Sequence, residues 1–431
     1  MEYSILDFGA LESNEVNTKY IQAAIDECAN SGGGRVVVPA GKFVTGTIRL
    51  KSHVELYLER GAILKATQSI SEYNEEDEFP QNFGSTSEGW DARHLIICVE
   101  QEDVAITGGG VIEGIGDICY GGPLKHESNF YWREGYYQNE DMKVLRRGIL
   151  IMFAECRHVT VKDVKIQNSS SWNLLFYGCD FVKATGLTIL NDKKNANSDG
   201  IDIDSCSFVT VSDCLIDVGD DCVALRNSAE HLKNNTKPCE HITITNCVFS
   251  NSVCAIRVCV GYGSVSYVTI SDIVMARSGE GLVFSTGFNN SGALHIHDIL
   301  VRNVVGNDVG NPLQMLANEA VIERVTVSGL HSNCACGVRL LSGIGSLKDI
   351  ILKDVTILDS KAEFPMPEIL ERERMGAIIY AEGAKRLSLD NIRVFALDDY
   401  FETRKNIINS VNTDFIKKDI TLIYKDTASS V

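Results

Sequence analysis

Proline is scarce, 7 in 431 residues. A residue that removes a backbone donor is thus kept out of most of the chain, which suits long, uninterrupted strand ladders. No run of about 18 apolar residues occurs, so no membrane-spanning helix is expected. Positive charge is in the minority. Lys plus Arg number 40 against 58 Asp plus Glu, a net charge of −18. The basic footprint of a nucleic-acid binder is absent, and neither a nucleic acid nor a membrane is expected as a partner. The opening Met1-Glu2-Tyr3-Ser4-Ile5-Leu6-Asp7 lacks the basic start and apolar run of a signal peptide, so a cytoplasmic location is expected. Without an export signal, the 14 cysteines read as buried thiols in a reducing compartment. Cys334-Ala335-Cys336 and the pair Cys254 and Cys259 do not have zinc-site spacing. No metal or other cofactor is expected. With 44% hydrophobic residues the chain is not of the disordered class.

What the chain does have is a repeated phrase: β-branched, any, apolar, any, Asp/Asn/Gly, apolar. It appears as Val159-Thr160-Val161-Lys162-Asp163-Val164 and returns at Val182, Val209, Ile242, Val268, Leu294, Val321, Ile350 and Leu387. Successive starts lie 23 to 37 residues apart. A weaker copy begins at Val104, followed by Gly108-Gly109-Gly110. Such periods mark solenoids, propellers or arrays. Each unit holds two or three short runs rich in Val, Ile and Thr, separated by Asn, Asp, Gly and Ser. Helix-length periodic segments between them are missing, which excludes helical repeats and doubly wound sheets. A propeller needs more strands per repeat. The pattern predicts an all-β, parallel β-helix in which each coil buries its inward side chains against its neighbours.

The open end of such a stack needs a cover. Asn17-Thr18 starts a helical pattern through Ile21, Ala24, Ile25 and Cys28 that stops at Ser31-Gly32-Gly33-Gly34, a plausible C-cap. Strand-like runs follow at 35–38, 47–50 and 54–58. Two long irregular stretches, 73–93 and 118–145 (the second containing Trp132), are expected to wall a cleft. Met366 falls in a turn-like insertion, and Glu371-Arg372-Glu373-Arg374 reads as a solvated loop or short helix. His295-Ile296-His297-Asp298 reads as coil surface. No low-complexity linker divides the chain. The expectation is one domain over 1–431: cap and first coils at 1–60, main coils at 95–400, closing strands and tail at 401–431.

Acid groups concentrate in Asn197-Ser198-Asp199-Gly200-Ile201-Asp202-Ile203-Asp204 and in Gly219-Asp220-Asp221-Cys222-Val223-Ala224-Leu225-Arg226. Aligning the inward apolar residues, Ile201 and Ile203 with Val223 and Leu225, stacks Asp199 beside Asp221. Trp172, Ser252 and Glu280 extend that column. The opposite parity gives an outward column of Asp202, Asp204, Arg226, Arg257, Val283 and Ser285. Three crowded carboxylates repel one another, so one is expected to hold a proton near neutrality. Acid–base cleavage of a glycosidic bond needs that: one acid for the leaving oxygen, and carboxylates to activate water. Trp172 is a candidate for stacking on a sugar face, and the arginines for gripping an acidic group. Asp and Asn also end coils as ordinary turn residues, and three carboxylates can bind a hard cation such as calcium.

These acid motifs, with Asp7-Phe8-Gly9-Ala10, the run from Gly32 to Gly41 and Gly46-Thr47-Ile48-Arg49-Leu50-Lys51-Ser52, resemble glycoside hydrolase family twenty-eight, the polygalacturonase-like enzymes. The resemblance covers roughly residues 5 to 300. It implies a right-handed, pectin-lyase-like β-helix that cleaves a pectin-like oligosaccharide or polysaccharide with inversion. It implies Asp220 as general acid, and Asp199 with Asp221 as the pair that positions and deprotonates water. Asn197 matches the family's Asn-Thr-Asp motif, with Ser198 in the Thr place. Two motifs differ. Ser252 stands where the family has the His of Gly-His-Gly, and Val283-Phe284-Ser285 stands where it has Arg-Ile-Lys. Arg226 and Arg257 either replace those cations or form structural pairs with Asp204 and neighbouring acids. Asp202, Glu280 and Trp172 complete the expected substrate contacts. Two other functions fit the same scaffold: a polysaccharide lyase or uronate epimerase, with Arg257 as base, and a non-catalytic carbohydrate-binding β-helix.

Overall fold

The computed structural model describes residues 1–83, 91–119, 147–193, 195–287, 293–359, 377–396 and 406–424. Trp132, Met366 and the Glu371–Arg374 run, together with most of the 118–145 stretch, lie outside the described residues. The described chain groups into two compact units. One draws on residues 1–119, 147–221 and 228–242, the other on 222–227 and 243–424. Each is an all-β parallel β-helix. Among the described residues no helix is long and apolar enough to cross a membrane.

In the first unit a coil consists of three short strands. Ile151–Ala154, Arg157–Lys162 and Lys165–Gln167 make one coil. Leu174–Tyr177, Asp180–Thr185 and Thr188–Leu190 make the next. Ile201–Asp204, Ser207–Ser212 and Leu215–Asp217 make a third. Every strand pairs in parallel with its counterpart one coil away. Alternation does the sorting. Ile151, Phe153, Leu174, Phe176, Ile201 and Ile203 point into the coil and are 0% exposed, and the Phe153 and Phe176 rings stack at 5.5 Å. The corners are left-handed. Asp163, Gly186 and Asp213 hold φ near 60° at one corner, and Glu155, Gly178 and Ser205 do so at another. This is backbone that Asp, Asn and Gly adopt at least cost.

The expected cap forms as the helix Thr18–Asn30. Ile21, Ala24, Ile25 and Cys28 recur at helical spacing and are fully buried. The helix packs against Gly34–Val38 and Ile48–Arg49. The Gly33 amide then closes on the Cys28 carbonyl at 2.9 Å. Gly33 itself has φ +100°, and a Cβ there would lie 2.5 Å from the His53 carbonyl oxygen.

In the second unit Val223–Asn227, Cys254–Gly261, Glu280–Thr286, Asn311–Ala317, Val338–Ser342, Ala377–Glu382 and Asn406–Val411 pair successively in parallel. Long strands such as His295–Val309, Val321–Cys334 and Ser346–Asp359 form its other wall. Two repeat starts need correction here. Val268 registers with Ile299, not Leu294, and Ile299 with Val325, not Val321. The phrase fits both residues 294–299 and residues 299–304, so it does not by itself choose the register there. The closing strands are Asn406–Val411 and Phe415–Tyr424. All 14 cysteines are buried free thiols, stacked in part as a ladder with Cys98 and Cys156 sulfurs 3.6 Å apart.

Candidate active site

Asp199, Asp220 and Asp221 all belong to the first unit and converge. One carboxylate oxygen from each lies within 4.8 Å of the other two. Their exposures are 5%, 7% and 5%, so the acids are sunk in the surface yet still reach solvent. Backbone pairing sets this geometry. The Gly200 amide donates to the Asp221 carbonyl at 2.8 Å, and the Asn173 amide to the Asp199 carbonyl at 2.9 Å. Buried polar side chains brace the loops. Asn173 Nδ2 donates to the Asp199 carbonyl at 2.8 Å, and the Gly219 amide donates to Ser198 Oγ at 2.9 Å. Asn197, itself left-handed at φ 51°, points its amide at Asp220 Oδ2 from 3.4 Å. Asn173 was not singled out from the sequence. A lone Asn between Trp172 and Leu174 follows no pattern, and its role shows only once neighbouring coils are stacked.

Among the described residues this trio is the one set of three His, Cys, Asp or Glu side chains with ligand atoms close enough to share a metal ion. Chemically it can divide protons between acids and hold a water, or it can hold a hard cation.

The other expected contacts fall differently. Asp202 faces outward by parity, but it is 0% exposed, in register with Leu175. The expected sugar contact is closed to it here. Trp172 lies opposite Asp199 by register, as Leu174 pairs with Ile201. It is 6% exposed and belongs to an apolar cluster with Phe79, Met152, Leu175 and Leu232. Its ring serves packing, not an open stacking face. Asp204 accepts from the Ser228 amide at 2.7 Å and from Ser205 Oγ at 2.8 Å. Together with burial, Asp204 pushes the Tyr177 hydroxyl pKa well above its ordinary value, burial being the larger cause. Strand parity separates coil interior from exterior and is blind to what covers the exterior.

In the second unit Arg226 is 5% exposed. Arg257 donates to Cys254 Sγ at 2.9 Å, and that thiol donates to Glu280 Oε2 at 3.1 Å. Gln314 donates to Glu280 Oε1 at 2.6 Å, and Arg339 to Gln314 Oε1 at 3.2 Å. Glu280 thus sits in a polar chain that includes Gln314 and Arg339, two residues the sequence reading passed over. They lie one and two coils beyond Val283, in register with it. Glu280 registers with Cys254 rather than Ser252, and Val223 registers with Ile256. Of the expected column only Ser252 is misplaced, by two residues, with Cys254 in its position, an error that alternation cannot reveal because parity is unchanged. Ser252 instead meets Ser278 Oγ at 2.7 Å.

Comparison with known proteins follows the same lines. The family model described as "Glycosyl hydrolases family 28" matches residues 28–356. A probable polygalacturonase of Vitis vinifera is 30% identical over 315 residues, which are 70% of this chain and 60% of that protein. The chain therefore spans about 60% of the length of that curated relative. The structure of a hyperthermoactive exopolygalacturonase from Thermotoga maritima aligns with TM-score 0.64 and 21% identity, over 98% of this chain and 91% of the other. A polygalacturonase from Erwinia carotovora aligns with TM-score 0.57 and 19% identity, over 95% and 94%. These two show the fold, the right-handed parallel β-helix. The family model spans most of the chain, and with it the loops that carry the three aspartates: the protein belongs to glycosyl hydrolases family 28.

Proposed function

We propose that the protein hydrolyses glycosidic bonds of a pectin-type oligosaccharide or polysaccharide, with inversion, using Asp220 as general acid and Asp199 and Asp221 to hold and deprotonate water. The observation that carries this reading is the convergence of three carboxylates within 4.8 Å. Three carboxyls this close let one face the leaving oxygen as acid while the other two hold a water. Family membership and the polygalacturonases among the relatives support the substrate class.

One feature favours a second stereochemical outcome. Inverting enzymes commonly separate their two carboxyls by about 6.5–9.5 Å and retaining ones by about 5–5.5 Å, and one oxygen from each carboxyl of this cluster lies within 4.8 Å of the others. The third aspartate favours inversion, because two acids can share one water while the third faces the leaving group. The test is a panel of pectin-derived oligosaccharides with the first-formed anomer followed by NMR. Inversion with no rise in ultraviolet absorbance supports the proposal. Retention would reassign one aspartate as nucleophile. An unsaturated product would establish the lyase reading, and loss of turnover in EDTA the cation reading.

A further inference from the structure

We infer that the protein releases units from an end of its glycan and does not cut inside it, because a packed apolar plug fills the sheet face beside the aspartates. This rests on the hydrolase reading above and adds the mode of attack.

The plug is written in the outward positions of one strand column in the first unit. Ile97, Met152 and Leu175 follow each other in register, as do Val99, Ala154 and Tyr177. One strand further on, the same positions become Asp202 and Asp204. The polarity of the face thus changes at the strand that follows Asp199. An apolar outer face needs a cover, and two segments provide it. Phe79 from one and Ala229 with Leu232 from the other join Ile97, Ile149, Met152, Ala154, Trp172, Leu175 and Tyr177 in one cluster, with no member more than 8% exposed.

Polar ties hold both segments down. The Gln81 amide reaches Glu100 at 3.1 Å and also bonds to Glu155. The Lys233 amide donates to Glu155 Oε1 at 3.0 Å, and Tyr177 hydroxyl donates to the Ser228 carbonyl at 2.7 Å. Asn82 Nδ2 donates to the Ala92 carbonyl at 2.8 Å. The rings of Phe83 and His231 link the two segments at 6.1 Å.

Position makes the plug a specificity determinant. Trp172 lies opposite Asp199 in the ladder, about one strand spacing (~4.8 Å) away. A glycan cut internally must occupy the face on both sides of the broken linkage. On this side a chain crossing the strands meets the plug almost at once, so the scissile linkage lies near the chain's end.

The test uses the whole protein on polygalacturonate, following viscosity against new reducing ends and sizing the products. The expected result is near-constant viscosity while one short product accumulates from the first time point. A steep early loss of viscosity with a ladder of oligomers would overturn the inference and leave the hydrolase reading intact. No cleavage of polygalacturonate or its oligomers would overturn the pectic-substrate reading, and this inference with it. In Leu232→Ala, verified as folded by circular dichroism, viscosity loss per bond cut should rise severalfold. An unchanged ratio would overturn the plug as the cause.

Discussion

Replacing Gly178 with alanine should destabilise the first unit more than the same change at Gly186, and the difference measures how tightly the plug is seated. Both glycines sit at left-handed corners, with φ +69° and +67°. Neighbouring coils carry Glu155 and Ser205 at the first corner and Asp163 and Asp213 at the second, all left-handed. Backbone conformation alone therefore does not demand glycine at either place. At Gly186 an added Cβ would meet only Asp163 Oδ1, at 2.4 Å, the end of an exposed side chain that can swing into water. At Gly178 it would lie 2.8 Å from both Leu232 methyls and 3.2 Å from Glu155 Cγ. Leu232 is 6% exposed inside the apolar cluster and has no open direction in which to retreat. A left-handed alanine costs about 1–2 kcal/mol, and overpacking a filled core adds about 1–3 kcal/mol. Gly186→Ala should thus lose about 1–2 kcal/mol from the left-handed backbone alone. Gly178→Ala should lose about 2–5 kcal/mol, the two costs together. Urea titrations of both variants beside the wild type, followed by circular dichroism, give the comparison. Equal losses would refute a tightly packed Leu232.

Acid should weaken the second unit through Glu323. A hydrogen bond from Lys348 and the neighbouring Arg324 lower its pKa from 4.5 to about 2, with Lys348 Nζ 2.7 Å away. A carboxylate with a depressed folded pKa stabilises above its unfolded value and loses that contribution as pH falls towards the folded one. Thermal stability should therefore decline between about pH 4.5 and 2, and Glu323→Gln should flatten that decline; an unchanged slope would contradict the pairing. The cysteines give a separate check. All 14 are buried, so Ellman's reagent should titrate few or none in the native protein and all of them in denaturant. Rapid native labelling would contradict the packing.

The fold was legible in the chain because its physics is local and periodic. Val159, Val182 and Val209 do stack in register, since each buries the same methyl surface one coil apart. The aspartate cluster was legible for the same reason: Asp199 and Asp221 are fixed by the apolar residues that follow them. Register failed where the phrase recurs in adjoining copies, at Leu294 for Ile299, and where alternation was degenerate, at Ser252 for Cys254. The covering of Trp172 was not legible at all. It comes from Phe79, Ala229 and Leu232, which lie outside the strands in segments with no period. A strand's parity says which side chains leave the coil interior; only tertiary structure says whether they then meet water or another layer.

The most direct measurement compares Asp220→Asn with the wild type for turnover of an acidic oligosaccharide and for thermal midpoint. Asp220 crowds against two other carboxylates, so amide for acid should not lower the midpoint. If this carboxyl delivers the proton, turnover should fall by about 10²–10⁴-fold or more. A folded Asp220→Asn protein that still turns over at the wild-type rate would contradict the account.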